Sequence, residues 1–367
     1  MDDGRIWATK NIHLKFQEFL KKKDLFSDYN FGFKDDSGVF IPECRNPDFA
    51  DVSVCNFLGT KMTTDLRART TDISQNEYIS AKLKYLELSK DEKIEGTDLN
   101  HRLTDFLKGM GGLLWCVTKT QKCYSFEASY LASKRNILTT EVFQEYNNTI
   151  ACIKKNPETI RITGITDKVK MILVMDGSET SKKTDRGYTG RTVGLMAISP
   201  PGTAGTFSPL SIRAGKSPRA THSSYDIESV SSIQCLDEGL ALGVQLQEFL
   251  KPPKQFKKRA ERFSFAAEGT SKIDFYTELH SDAELLCNGV NLSKRIDPTM
   301  GARRREDLDD LKECIRTRDL AMVGHIAGKK NPTDRLTKPL ARCADTHILL
   351  KTLLQKNWYS PPLTRGE

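Results

Sequence analysis

The second half of this 367-residue chain predicts an α/β fold, and two observations carry that reading. Strand-like and helix-like periodicities alternate after residue 165, the pattern that builds a sheet flanked by helices. Within it, Met171-Ile-Leu-Val-Met175 is an uninterrupted apolar run that stops at Asp176-Gly177-Ser178, as a central strand covered on both faces would. The first half reads as mainly helical with short strands, and a domain boundary falls near residue 165.

Taken in order, residues 1–60 join a short amphipathic stretch (Ile12, Leu14, Phe16, Phe19, Leu20) to a polar, turn-rich tract from Ser27 to Arg45. This predicts a helix, then loops and short strands. From Asp72, the apolar residues Ile73, Ile79, Leu83, Tyr85 and Leu86 fit one or two helices, and 103–153 predicts mostly helix. The tract 156–167 passes from linker into strand. Residues 192–198 and 207–212 predict two strands separated by the Pro200–Gly205 loop. Ile227, Val230, Ile233, Leu236, Leu240 and Val244 then recur at helical spacing, with Ser224 or Asp226 as the cap. Ile273–Leu279 predicts a fourth strand ending just before Asp282. Leu308, Leu311 and Ile315 mark a charged helix, and Ala321–Ile326 a fifth strand. Asn331-Pro332-Thr333-Asp334 offers a cap followed by proline, which places Asp334 in the first turn of a terminal helix. The predicted organisation is therefore 1–165, 166–345 and a tail of 346–367.

Lys and Arg number 56 against 48 Asp and Glu, a net charge of +8. That surplus fits a polyanionic partner or an ordinary solvated surface. No apolar run approaches the ~20 residues of a membrane span, so no membrane partner is predicted. The acidic, polar start lacks a secretory pattern. Nine scattered cysteines, with no Cys-x-x-Cys pair, argue against a disulfide framework or a zinc site and for a reducing compartment. The protein is thus expected inside the cell and not secreted, and the glycosylation-like Asn147-Asn-Thr149 and Asn291-Leu-Ser293 are read as coincidental.

An acid where a buried strand ends costs solvation unless positive charge offsets it. This happens at Asp176 and at Asp282, and Glu228 and Asp334 each fall in the first turns of a helix. If the strands are parallel neighbours, their C-terminal ends share one sheet edge, where ligand sites of open α/β sheets lie. Four such carboxylates call for a cation, and oxygen-only donors suit Mg²⁺ or Mn²⁺. Two ions could clamp the attacking and leaving oxygens of a phosphodiester. Taken singly, each acid is more often a turn residue or helix cap; it is their order on strand, helix, strand and helix that points to chemistry.

In these residues the chain resembles the ribonuclease H domain of copia-type LTR retrotransposon polyproteins. Met175-Asp-Gly-Ser178 is similar to the end of that family's first strand, and Ser223-Ser-Tyr-Asp-Ile-Glu-Ser229 to the segment carrying its second acid. Leu279-His-Ser-Asp-Ala-Glu-Leu285 fits the third-acid strand. The most specific match is Val323-Gly-His-Ile-Ala-Gly-Lys-Lys-Asn-Pro-Thr-Asp-Arg-Leu-Thr-Lys-Pro-Leu340, with Thr333 in place of the usual Ala. Upstream, Phe57-Leu-Gly59, Ile73–Ile79, Met110-Gly-Gly-Leu-Leu-Trp115 and Ser129-Tyr-Leu-Ala-Ser133 resemble the region joining a reverse transcriptase palm to ribonuclease H. Residues 118–122 depart from that pattern. Asp2 and Asp3, after Met1, look like the end of a Tyr-x-Asp-Asp polymerase motif, although Phe33-Lys-Asp-Asp36 is a competing match. On that reading most of the palm is missing and no DNA synthesis is expected.

The resemblance implies a ribonuclease H-like mixed five-stranded sheet flanked by helices, preceded by a mainly helical α+β thumb or connection segment. It implies hydrolysis of the RNA strand of an RNA–DNA hybrid with two Mg²⁺ or Mn²⁺ ions. Asp176 would lie between the ions, and Glu228, Asp282 and Asp334 would complete their shells. Glu228 would also help tell RNA from DNA at the 2′-hydroxyl. His325, in a loop position, would assist product departure, with a satisfied strand histidine as the alternative. An upstream polymerase region on another chain is a further implied partner.

Phosphates need cations too. Lys251, Lys254, Lys257, Lys258, Arg259 and Arg262 form one basic run, and Arg303, Arg304 and Arg305 a second. Such groups grip the backbone without reading bases, although each run could also be a solvated face. The runner-up is a catalytically inactive retroelement remnant that at most binds nucleic acid. A transposase or integrase is weaker, because those usually end their acidic set in Glu.

Overall fold

The computed structural model describes residues 32–34, 40–42, 52–65, 67–165, 168–179, 186–199, 203–221, 223–250, 276–291 and 302–361. The predicted helix around Ile12–Leu20, Asp2 and Asp3, and the basic run from Lys251 to Arg262 lie outside them. The chain divides into two units, Met1–Cys55 and Asn56–Glu367. In the first, β1 (Gly32–Lys34) pairs antiparallel with β2 (Phe40–Pro42). A strand β3 (Val52–Phe57) straddles the division.

The second unit begins with threonine-rich strands β4 (Thr60–Asp65) and β5 (Thr70–Ser74), which pair antiparallel. β-Branched residues suit a pleated, half-buried surface, and this corrects one expectation: Ile73 belongs to a strand, and helix α1 (Asn76–Lys82) starts only after it. The predicted helical stretch is present as α2 (Leu103–Lys119), α3 (Ser125–Ser133) and α4 (Thr140–Lys155). In α2, Phe106, Met110, Leu113 and Val117 bury one stripe at three- and four-residue spacing. The strand expected after residue 156 is β6 (Ile160–Thr163), which joins the first sheet beside β5.

The α/β half follows as β7 (Val169–Ser178), β8 (Tyr188–Ala197), β9 (Gly205–Lys216), α5 (Ser224–Leu250), β10 (Tyr276–Ser281), α6 (Glu284–Asn291), α7 (Ala302–Thr317), β11 (Met322–His325), α8 (Ala344–Lys356) and β12 (Trp358–Tyr359). The sheet order is β11-β10-β7-β8-β9-β12. β10 runs parallel to both β7 and β11, whereas β8, β9 and β12 extend the sheet antiparallel. This is the ribonuclease H-like mixed sheet, with a sixth, two-residue strand, β12, added to the five expected.

Alternation along β7 explains its unbroken apolar run. Met171, Leu173 and Met175 pack with Leu236 of α5, Leu286 of α6 and Leu311 of α7. Ile172 and Val174 belong to the opposite core, with Leu350 and Leu354 of α8 and with Phe106, Phe143 and Tyr146 of the helical segment. That second core therefore spans both halves of the unit. Asn357, in the left-handed region at φ 52°, stitches them further: its Nδ2 donates to the carbonyls of Arg161 (2.7 Å) and Phe207 (2.9 Å).

A polar chain runs through the same layer. Lys170 Nζ donates to Glu278 Oε1 at 2.8 Å, Glu278 Oε2 lies 3.2 Å from His280 Nε2, and His280 Nδ1 lies 2.8 Å from the Tyr359 hydroxyl. All four residues are buried. Among the described residues no helix is long and apolar enough to cross a membrane.

Candidate metal centre

The register Leu173↔Leu279 and His280↔Val174 brings the C-terminal ends of β7 and β10 to one edge. Asp176 lies two residues beyond Val174, and Asp282 two residues beyond His280, so the parallel pairing delivers both acids to that edge. Glu228 arrives from the second turn of α5. That helix is held there by the Ser231 hydroxyl, which donates to the Asp176 carbonyl at 2.7 Å. The expected cap is displaced by one position: Ser223 Oγ accepts from the Asp226 amide at 3.2 Å.

Each of Asp176, Glu228 and Asp282 offers an oxygen within 4.8 Å of the others. Asp176 and Glu228 are buried and Asp282 is half-buried. Among the described residues, Glu228 Oε2 and Asp282 Oδ1 are enclosed without a hydrogen-bond partner. Burial first, and the charge of Asp282 after it, push the Asp176 carboxyl up to about 7. Burial, with Asp176 and Asp282 nearby, raises Glu228 well above the usual carboxylate range, and burial raises Asp282. Three carboxylates that resist ionising together, two with orphaned buried oxygens, fit a hard divalent cation. Such an ion would supply the missing partner and restore the charged form.

Asp334 lies beside this triad but is otherwise engaged. Thr346 Oγ1 donates to its Oδ2 at 3.0 Å, and the Lys338 ammonium pairs with its Oδ1. The expected terminal helix is instead a separate 3₁₀ turn, Pro332–Leu336, while α8 starts only at Ala344. Asn331 caps that turn as anticipated, its Oδ1 accepting from the Thr333 amide at 3.0 Å. Pro339 and a second 3₁₀ turn at Leu340–Arg342 separate it from α8. Asn331 Nδ2 also donates to the Met175 carbonyl at 3.0 Å, pinning the turn to the end of β7. Gly190 on β8 makes room beneath it: a Cβ there would come within 2.7 Å of the Leu336 Cβ and 3.1 Å of the Thr333 carbonyl.

Two participants were not singled out individually in the sequence. The Thr337 hydroxyl donates to Asp176 Oδ2. Lys338 faces Asp176, Asp334 and Asp282, and although burial opposes its charge, these carboxylates hold the ammonium above the ordinary lysine value. The available signal was its position four residues after Asp334, the spacing of a helical ion pair.

His325 closes β11, opposite Ser281, as a strand residue and not a loop one. It is half-buried, and among the described residues its ring has no hydrogen bond or ion pair. Arg303, Arg304 and Arg305 fall in the first turn of α7, with Arg305 half-buried.

No protein-family model matches the chain, and no curated protein matches it in sequence. Among solved structures, it is similar to LC11-RNase H1, isolated from compost and solved in complex with an RNA/DNA hybrid. The identity there is 16%, over 46% of this chain and 93% of that one, with a TM-score of 0.29. It is similar to RNase H1 from the halophilic archaeon Halobacterium salinarum NRC-1 at 14% identity, over 48% of this chain and 98% of that one, with a TM-score of 0.26. Against the prototype foamy virus protease-reverse transcriptase the identity is 12%, over 53% of this chain and 21% of that one, with a TM-score of 0.29. Each is a likeness of part of the chain.

Proposed function

We propose that this protein is a retrotransposon-derived ribonuclease H, of copia type, that hydrolyses the RNA strand of RNA–DNA hybrids with two Mg²⁺ or Mn²⁺ ions. The observation that carries the reading is the convergence of Asp176, Glu228 and Asp282 within 4.8 Å, two of them with buried oxygens that have no hydrogen-bond partner among the described residues. When bound, the ions would act as Lewis acids on the phosphodiester and lower the pKa of the attacking water.

The chain's own residues have separable tasks. Asp176 has its Oδ2 oriented by the Thr337 hydroxyl. Glu228 and Asp282 flank it with free oxygens. Asp334 would complete the set of residues holding the ions, and Lys338, which pairs with it, would offer its ammonium to a phosphate. His325, at the same end of the sheet, is the candidate for moving a proton during product departure.

One observation favours the inactive-remnant reading instead: Lys338 already pairs with Asp334 inside the acidic cluster. A single experiment separates the two. Purified protein and Asp282→Asn are incubated with labelled RNA–DNA hybrid, with and without Mg²⁺ or Mn²⁺. Metal-dependent cleavage of the RNA strand, lost in the variant, supports the nuclease. No cleavage, or equal cleavage by the variant, sinks it.

A further inference from the structure

Arg335 follows Asp334 in the turn and is fully buried, and its guanidinium pairs with a carboxylate outside the four acids, Glu127. Its Nη2 donates to Glu127 Oε2 on α3 at 2.7 Å, and its Nη1 to the Lys338 carbonyl at 2.8 Å. Its Nε lies 3.3 Å from His347 Nδ1 on α8. The second oxygen of Glu127 accepts from the Leu340 amide at 3.1 Å. Both oxygens of one carboxylate in the helical segment are thus committed to the stretch 335–340. That same stretch presents Thr337 to Asp176 and Lys338 to Asp334.

A buried guanidinium left without a counter-charge is strongly destabilising. Glu127 is the carboxylate paired with Arg335. If that charge were lost, the uncompensated guanidinium would favour a position nearer water. That shift would disturb the Lys338 carbonyl and, through it, the Thr337 and Lys338 side chains that contact the acids. We infer that Glu127 is a positioning residue of the metal centre, through which the helical segment sets the geometry of carboxylates carried by the other half of the unit. This rests on the metal-centre reading above.

The test is to titrate Mn²⁺ calorimetrically into the full chain, Glu127→Gln and Glu127→Ala, and to record the melting temperature of each. Partners that orient metal ligands are typically worth about 10- to 100-fold in affinity, so Kd should rise by that factor in a folded Glu127→Gln protein. A purely structural role would lower the melting temperature and leave Kd alone. A folded variant whose Kd stays within about twofold of the unmodified chain, far below that range, overturns the inference.

If neither variant folds, hydrogen exchange on the unmodified chain decides. Coupling is reciprocal, so Mn²⁺ should slow exchange in 125–133 as well as 334–340, and protection confined to the acids and their turn overturns the inference. Hybrid cleavage is scored separately. Mn²⁺ binding without cleavage defeats the nuclease reading but leaves the role of Glu127 supported by its own readout. An unmodified chain that binds no Mn²⁺ overturns both.

Discussion

A Cβ on Gly177 would stand 2.9 Å from the backbone nitrogen of Glu228 and 2.8 Å from the carbonyl carbon of Ile227. The obstacle is main chain, which cannot rotate aside. Glycine at this position lets α5 lie against the end of β7, and so lets Glu228 reach Asp176. Gly177→Ala should force the helix outward, costing about 1–3 kcal/mol of stability as overpacking does. It should also weaken Mn²⁺ binding. Urea denaturation and calorimetric titration check the two effects, and an alanine variant with unchanged Mn²⁺ affinity would refute the spacing argument.

The Asp176 carboxyl, pushed up to about 7 by burial and by Asp282, sets a pH dependence. The folded state keeps a proton that the unfolded chain releases near pH 4, at about the ordinary Asp value. Metal-free stability should therefore fall as the pH rises from about 4 to about 7, because the native state binds the extra proton. Asp176→Asn should flatten that part of the profile. Since Mn²⁺ competes with the same proton, its stabilising effect should grow from about pH 5 to about pH 8. Thermal melts across this range, with and without Mn²⁺, test both statements.

Lys338 acts as a resident cation among the acids. Its side chain is 35% exposed, so solvent screens the interaction, and Lys338→Met should cost the metal-free protein only about 1 kcal/mol. The informative quantity is the response to metal. With its counter-charge removed, the cluster should gain more from Mn²⁺ than the unmodified chain does, seen as a larger rise in melting temperature. An equal or smaller rise would argue that Lys338 and the ion do not share carboxylates.

The buried Lys170–Glu278 pair makes a different prediction. Lys170→Met leaves the Glu278 carboxylate with His280 alone, and breaking such a pair typically costs about 3–5 kcal/mol. Lys170→Met/Glu278→Gln removes both charges while keeping a partner for His280, and should recover about half or more of that loss. Equilibrium unfolding of the single and double variants measures the difference.

Much of this architecture was legible in the sequence because burial on two faces writes a recognisable pattern. The run Met171–Met175 announced the central strand, and the recurrence from Ile227 to Val244 announced α5. Asp176, Glu228 and Asp282 were legible from their places at element ends. What stayed hidden depended on partners distant in the chain. Trp358 and Tyr359 read as tail, and become a strand only because Thr206 and Gly205 offer an edge. Asp334 read as part of a terminal helix because the cap and proline were visible, whereas the early stop before α8 was not. The link from Glu127 to Arg335 spans 208 residues and leaves no local signature.

The Lys170–Glu278 contact has a consequence for how the strands find one another. A one-residue slip of β10 along β7 would turn Glu278 and His280 into the apolar layer under α5. A two-residue slip that set Glu278 opposite Val174 would keep their face but carry Glu278 about 6–7 Å farther from Lys170. Either error strands a charge in surroundings that cannot solvate it. The pair thus proofreads the alignment of the sheet. Because Asp282 sits four residues after Glu278 on the same segment, the proofreading also fixes the height at which the third acid emerges.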